Sequence, residues 1–392
     1  MPSITFDLET ITPLFMAGAD QATAELRPPA FRGALRYWFR AIAASVADFE
    51  EVKKWEKKVF GSTEANGAVI IRLQTQKAVS NCTLKKDNEF SGLVYLFFST
   101  YGDSNRQPRG CFPPGSRFKL ILQTRLSRED DNKCFQLAIC AMWMLINLGG
   151  LGSRSNRGGG NLKVNKEPAK NNFSIKFKLE TTRPEQLSSE LAAGIQAIKI
   201  LYRKILLGRS KNLISEPTQF DVLDSQTASL YLWQSPNMED NDYWDSLLDS
   251  FGKKYQTFRL RYNNARQDDY KEVKDWLQSG GKTSITTVKR AAFGLPIQFR
   301  FKSLKGKQAS IEATGGINRS SSPLHIRVLE LSDKTVTLLI IHFQTQLLPE
   351  NQRLRIRSKQ INKAITLPVP NQDIVDQEFL PSLGNLTTAL IP

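Results

Sequence analysis

The chain has 392 residues, 40% of them apolar and 23% charged, and its 54 lysines and arginines against 38 aspartates and glutamates leave a net charge of +16. That length suits about two domains whose cores need no disulfide staples. No run of about 18 uncharged apolar residues argues for a membrane span. The start, Met1 to Asp7, lacks the basic and apolar parts of a secretory signal, so the cytoplasm is the expected compartment.

In chain order, Ile4, Phe6 and Leu8 alternate with Thr5, Asp7 and Glu9, which predicts a half-buried strand over 4–10. After a loop over 12–29, Leu35, Trp38, Phe39, Ile42, Val46 and Phe49 recur at helical steps. Strands are expected over 68–74, 93–100 and 118–125. A strongly apolar helix over 134–148 ends at Gly149-Gly150. Beyond a glycine-rich loop come a strand over 173–179 and a long helix over 184–207. The second half reads as strands over 228–233, 295–302, 325–331 and 336–347 with helices over 241–255 and 269–278. Helices interleaved with mainly antiparallel strands predict an α+β class.

The charge is unevenly distributed. Residues 101–170 hold 12 basic and 5 acidic side chains, 281–320 hold 8 and 1, and 351–363 hold five basic and no acidic ones, whereas 236–250 holds five acidic residues and no base. An excess of this kind favours a polyanion, because neutralising phosphates releases counterions. Cys82, Cys111, Cys134 and Cys140 form no C-x-x-C pair, and with only two histidines no metal site is expected. Cys134 and Cys140 read as buried thiols.

Three constellations carry chemistry. In Glu25-Leu26-Arg27-Pro28-Pro29-Ala30-Phe31-Arg32-Gly33-Ala34-Leu35-Arg36-Tyr37-Trp38-Phe39-Arg40, the residues Arg32, Arg36 and Arg40 stand four apart, on one helix face. Arg32 and Gly33 are placed in the first turn, where free N–H groups attract phosphate. A solvated arginine face is the plainer reading. Leu148 to Gly160 holds six glycines, with Gly150 and Gly152 allowing close approach, Arg154 and Arg157 supplying charge, and Ser153, Ser155 and Asn156 supplying hydrogen bonds. Because the loop follows a helix, it is no P-loop, and a flexible surface connection is its bland alternative. Gly281-Lys282-Thr283 has the end of a Walker motif, but Trp276 stands where its first glycine belongs, so nucleotide hydrolysis is rejected. Finally, Lys289-Arg290 and Asn318-Arg319 precede apolar strands, as phosphate-contacting edge loops do.

Ile11 to Asp20, Glu25 to Pro29 and Arg32 to Trp38 together resemble the opening of the first subunit of the type III-B Cmr effector, a branch of the RAMP superfamily of CRISPR proteins. Gly149 to Gly160 is similar to the superfamily's signature loop. Phe293 to Ile297 and Arg319 to Leu324 resemble its second-half motifs, whereas 208–280 match none. The resemblance implies two ferredoxin-like (RRM-like) domains in tandem with loop insertions, over 1–182 and 183–392, with a helical insertion around 236–283. It implies a cytoplasmic ribonucleoprotein whose partners are a CRISPR guide RNA, a target RNA and other Cmr subunits, with no membrane and no cofactor. RNA would be held by Arg27, Arg32, Arg36, Arg40, the Gly150–Arg157 loop, Lys289, Arg290 and Arg319, with loops and arginines in place of a stacking sheet face. The alternative is a metal-dependent RNA endonuclease: Asp20 occupies the place where related RAMP backbone subunits carry a cleaving aspartate and would hold Mg²⁺. Asp20 equally suits a turn. His325 and His342, which a guide-processing nuclease would need, fall in apolar strand patterns and read as core histidines.

Overall fold

The computed structural model describes residues 2–392 apart from 76–81, 88, 105, 126–128, 170–174, 207–219, 237–242, 261–268, 317–318, 372 and 390. The first half runs β1 (Ser3–Thr10), α1 (Pro28–Ala43), α2 (Phe49–Phe60), β2 (Val69–Thr75), β3 (Cys82–Thr83), α3 (Ser91–Leu96), β4 (Gly110–Cys111), β5 (Arg117–Thr124), α4 (Glu129–Asn147), β6 (Leu162–Lys166) and α5 (Pro184–Leu206). The second runs β7 (Ala228–Trp233), α6 (Trp244–Leu260), α7 (Asp269–Gln278), β8 (Ile297–Phe301), β9 (Lys307–Ala313), β10 (Leu324–Glu330), β11 (Val336–Phe343), β12 (Leu354–Ser358), β13 (Lys363–Leu367), α8 (Leu380–Leu383) and β14 (Leu386–Ala389).

The described residues form an α+β architecture with three four-stranded antiparallel sheets and the short pair β3-β4. The first has the order β2-β5-β1-β6 and the second β10-β11-β7-β14. In each sheet the third strand in sequence lies between the first and second, and the fourth flanks the first. The third sheet, β13-β12-β9-β8, is assembled from two insertions into the second unit, one between β7 and β10 and one between β11 and β14. Packing explains why β10 and β11 are almost wholly buried. Leu339, Ile341 and Phe343 join a core shared with α1, α4 and α5, while Val336, Leu338 and Ile340 join one with α3 and α6. A strand alternating between two cores loses the apolar–polar signature of a one-sided strand.

Several expectations need correction. The first helix does not reach Phe49; it ends at Ala43, and Phe49 opens α2 with 54% of its surface exposed. Asp48 starts the new helix by accepting a hydrogen bond from Glu51 N–H at 2.9 Å. The expected strand over 93–100 is helical. Its Leu93, Leu96 and Phe97 are buried against α6, and Asp249 of α6 accepts from the N–H groups of Gly92 and Leu93 at 2.8 and 3.0 Å. The expected strand over 173–179 begins outside the described residues, and its remainder pairs in no sheet. Ile175 and Phe177 are nonetheless buried, and Glu167 accepts from Phe177 N–H at 3.0 Å. The helical insertion contains α6 and α7, but the chain continues from it into the third sheet. Cys82 and Cys111 are disulfide-bonded across β3 and β4, while Cys134 and Cys140 are free and buried. Among the described residues no helix is long and apolar enough to cross a membrane.

Candidate functional site

The glycine-rich loop is pinned rather than flexible. Arg327, fully buried on β10, donates from Nη1 to the Gly149 carbonyl and from Nη2 to the Leu162 carbonyl at 2.6 Å. Burial lowers its pKa to about 9, still high enough to keep it charged at neutral pH. Asn161 fixes the loop's far end, accepting from Val328 N–H at 2.9 Å and donating to Gly149. Ser153 N–H bonds the Phe15 carbonyl, which brings the loop to the segment before α1. Two glycines are dictated by contact: a Cβ at Gly149 would overlap Trp38, and one at Gly160, with φ +64°, would overlap the Leu151 carbonyl.

Between this loop and α1 lie two adjoining hollows. The larger, about 340 Å³, has Ala30, Gly33 and Ala34 of α1 on one wall and Gly149 to Gly152, Ser155 and Asn156 on the other, with Tyr37, Trp38 and His325 between them. The smaller, about 250 Å³, shares Ala30 and Gly152 and adds Arg27, Arg109 and Ser153. Arg109 Nη1 donates to Ser153 Oγ at 2.7 Å. Arg106, Arg109, Arg154 and Arg157 form one positive cluster. Burial first, then Arg157, Arg109 and Arg106, lower the Arg154 pKa to about 10. Among the described residues Arg154 Nε and Arg157 Nη1 are buried without a hydrogen-bond partner. Arg157 also lies 4.9 Å from the centre of the Tyr255 ring. Arg106 is 3.5 Å from Asp103, so the cluster as a whole is only partly neutralised.

The larger hollow has a polar floor that the sequence reading missed. Tyr37 donates to Asp221 Oδ2 at 2.5 Å, and His325 Nε2 lies 3.0 Å from Asn156 Nδ2 and 3.6 Å from Asp221. The Tyr37 and His325 rings stack with centroids 5.6 Å apart. Burial lowers the His325 pKa, opposed by Asp221 and reinforced by Arg157, so the ring is neutral at pH 7. Burial, then Asp221, raises that of Tyr37.

The named candidates divide sharply. Arg27, Gly150, Gly152, Ser153, Arg154, Asn156 and Arg157 gather around the groove or its arginine cluster. Arg36 and Arg40 instead share Glu56 of α2 at 3.1 Å each, and Arg36 also donates to the Gly61 carbonyl. The four-residue spacing put them on one face, but that face meets α2. Arg32 and Gly33 lie past the first turn, since α1 begins at Pro28-Pro29. Those two prolines contribute no N–H groups there, and Ala30 N–H already bonds the Arg27 carbonyl. Arg290 is buried 4.8 Å from the centre of the Phe299 ring, and Lys289 approaches Glu378 at 4.0 Å. Arg319 lines a separate hollow of about 190 Å³ with Ser320, Ser321 and Ser322; Asn318 lies outside the described residues. Asp20 closes a turn, accepting from Ala22 and Thr23 N–H at 3.2 Å; the Thr23 side chain first, then these N–H groups, lower its pKa. Among the described residues no group of three or more His, Cys, Asp or Glu could hold a metal. Gly281-Lys282-Thr283 follows α7 and opens no helix, as rejecting the Walker reading requires. Arg109 was legible as part of the basic run over 101–170; Asp221 carried no local signal.

Comparison with known proteins places these elements in a lineage. Residues 7–163 match the RAMP superfamily model. The Cmr subunit Cmr1-2 of Pyrococcus furiosus is 34% identical over 179 residues, spanning 41% of this chain and 93% of that protein. Its companion Cmr1-1 is 28% identical over 363 residues, 91% of this chain and 90% of its own. The crystal structure of apo Cmr1 from Pyrococcus furiosus superposes with a TM-score of 0.62 at 20% identity, covering 99% of both chains. A chain of the type III-B Cmr-beta complex bound to cognate target RNA reaches 0.51 at 14% identity, covering 87% of this chain and 93% of its own.

Proposed function

We propose, from the premise that this chain belongs to the Cmr1 family of RAMP-superfamily CRISPR proteins, that it is an RNA-binding structural subunit of a cytoplasmic type III effector. In this reading the groove between α1 and the glycine-rich loop holds the phosphates of guide or target RNA. The observation that carries the reading is the cluster of Arg106, Arg109, Arg154 and Arg157 at the groove's edge, which retains an unspent positive charge. Like charges held together under partial burial cost free energy, and a bound phosphate chain recovers it. The relatives' assignment to Cmr complexes, one of them described with target RNA, supports the choice of polyanion. The matching strand orders of the first two sheets support two ferredoxin-like units, within 1–182 and 183–392.

Arg27, exposed, and Arg109, half-buried, are the two arginines that line the hollows themselves. Arg27→Ala with Arg109→Ala should weaken binding of single-stranded RNA and flatten its salt dependence by about 1.4 in log K against log salt, at about 0.7 per phosphate contact on a single strand. A double variant with the wild-type slope contradicts the reading.

A further inference from the structure

We infer that the outer face of the third sheet is a second contact surface for single-stranded RNA, separate from the groove. Two basic segments about which the groove says nothing, 281–320 and 351–363, are brought together by the pairing of β9 with β12. In β8 and β12 the buried and exposed residues alternate strictly. Phe299, Ile311 and Ile356 face the core beneath, with Trp276 of α7. Arg300, Arg355 and Arg357 point outward and are exposed, and exposed Arg353 continues the alternation just before β12. Among the described residues their one acidic neighbour on the face is Glu312, 2.9 Å from Arg357 and 3.7 Å from Arg355. Four guanidinium groups against one carboxylate leave three charges unspent.

The outer face of the first sheet makes the contrast. There Glu9 pairs with both Arg117, at 2.6 Å, and Lys163, at 3.2 Å, and Lys163 also pairs with Glu330. Those charges answer one another, whereas on the third sheet a single carboxylate, Glu312, meets only two of the four arginines.

Geometry selects the partner. Successive outward residues on an antiparallel strand are about 6.8 Å apart, comparable to one nucleotide of an extended strand. Arg353, Arg355 and Arg357 therefore form a ladder that consecutive phosphates can follow. Gln298 and Gln308 add neutral donors, and no aromatic lies on the face to stack bases, so recognition would follow the backbone and ignore sequence. A protein partner would need apolar or aromatic anchors, and among the described residues Ala364 is the only apolar one on the face. The choice of RNA as the polyanion rests on the function proposed above; the charge excess does not.

The test uses the full chain with a short oligouridine, sized for the groove, and a long one. Arg300→Gln, Arg355→Gln and Arg357→Gln together should weaken binding of the long RNA about tenfold and lower its salt slope by about 2, from three lost contacts at about 0.7 each. Short-RNA affinity and melting temperature should remain unchanged. Separately, Glu312→Gln should tighten long-RNA binding. An unchanged long-RNA slope in the triple variant overturns the inference, as does a triple variant that binds RNA normally but no longer joins another Cmr subunit, which would make the face a protein-docking surface. The groove is judged independently, by short-RNA binding in Arg109→Ala. If that variant behaves as wild type, the groove reading falls while the long-RNA result still decides the sheet.

Discussion

Arg327 illustrates how a single side chain decides whether a glycine-rich segment is a tether or a site. Its guanidinium spans two carbonyls, at Gly149 and Leu162, on either side of the loop. Lysine cannot reproduce that fork. Arg327→Met should cost about 3 kcal/mol by stranding two buried carbonyls, measured by urea unfolding, and should weaken RNA binding as the loop loosens. Unaltered stability would show the fork to be incidental. His325 supplies a pH test. Its folded pKa lies below the ordinary 6.5 because burial disfavours the charged ring, so between those values the unfolded chain binds the extra proton. This contribution is therefore complete above about pH 6.5 and is lost as pH falls from there through the folded value. Melting temperature should drop from pH 7.5 to 5.5, and His325→Gln should reduce that drop. At this scale the sequence identified charge and glycine correctly but not partners. The spacing of Arg36 and Arg40 says nothing of Glu56, which arrives from the next helix.

Among elements, α3 was hidden because its decisive residues lie far away in the chain. Leu93 to Thr100 is an apolar, aromatic run that suits a strand as readily as a helix. What selects the helix is Asp249, a tertiary cap for two N–H groups, and the close approach of Gly92 to Gly252, where a Cβ on either glycine would overlap the partner backbone. Asp249→Ala should destabilise the chain by about 1–2 kcal/mol, the range of a lost helix cap. Equilibrium denaturation can measure this loss, and hydrogen exchange should locate it in residues 91–96. Equal protection of those amides in the variant would contradict the capping account. By contrast α1, α5 and α7 were readable, because each carries an apolar stripe that its own periodicity reveals, and α4 because its run over 134–148 is apolar nearly throughout. Leu354, Arg355, Ile356 and Arg357 alternate as a half-buried strand does, but β12 was not among the expected strands; only the charge of 351–363 stood out. The pairing of β12 with β9 is non-local and had no sequence signal.

For the whole molecule, the net charge of +16 acquires a location. The groove gathers arginines from three separated segments: Arg27 before α1, Arg106 and Arg109 near β4, and Arg154 and Arg157 in the loop. Bringing these segments together is work done by the fold, and mutual repulsion opposes it. A polyanion that binds the assembled cluster but not the dispersed one must therefore stabilise the native state, by about 2.7 kcal/mol at a hundredfold excess over Kd. Single-stranded RNA should accordingly raise the melting temperature at low ionic strength. The rise should shrink steeply with salt, as exposed charges more than about 3 Å apart are screened near 1 M. Arg27→Ala with Arg109→Ala should reduce the rise without lowering the melting temperature of the free chain, because neither side chain supports a core. A salt-independent rise would mean that apolar or base-stacking contacts hold the RNA, and the charge convergence would then be a feature of the fold rather than the basis of binding.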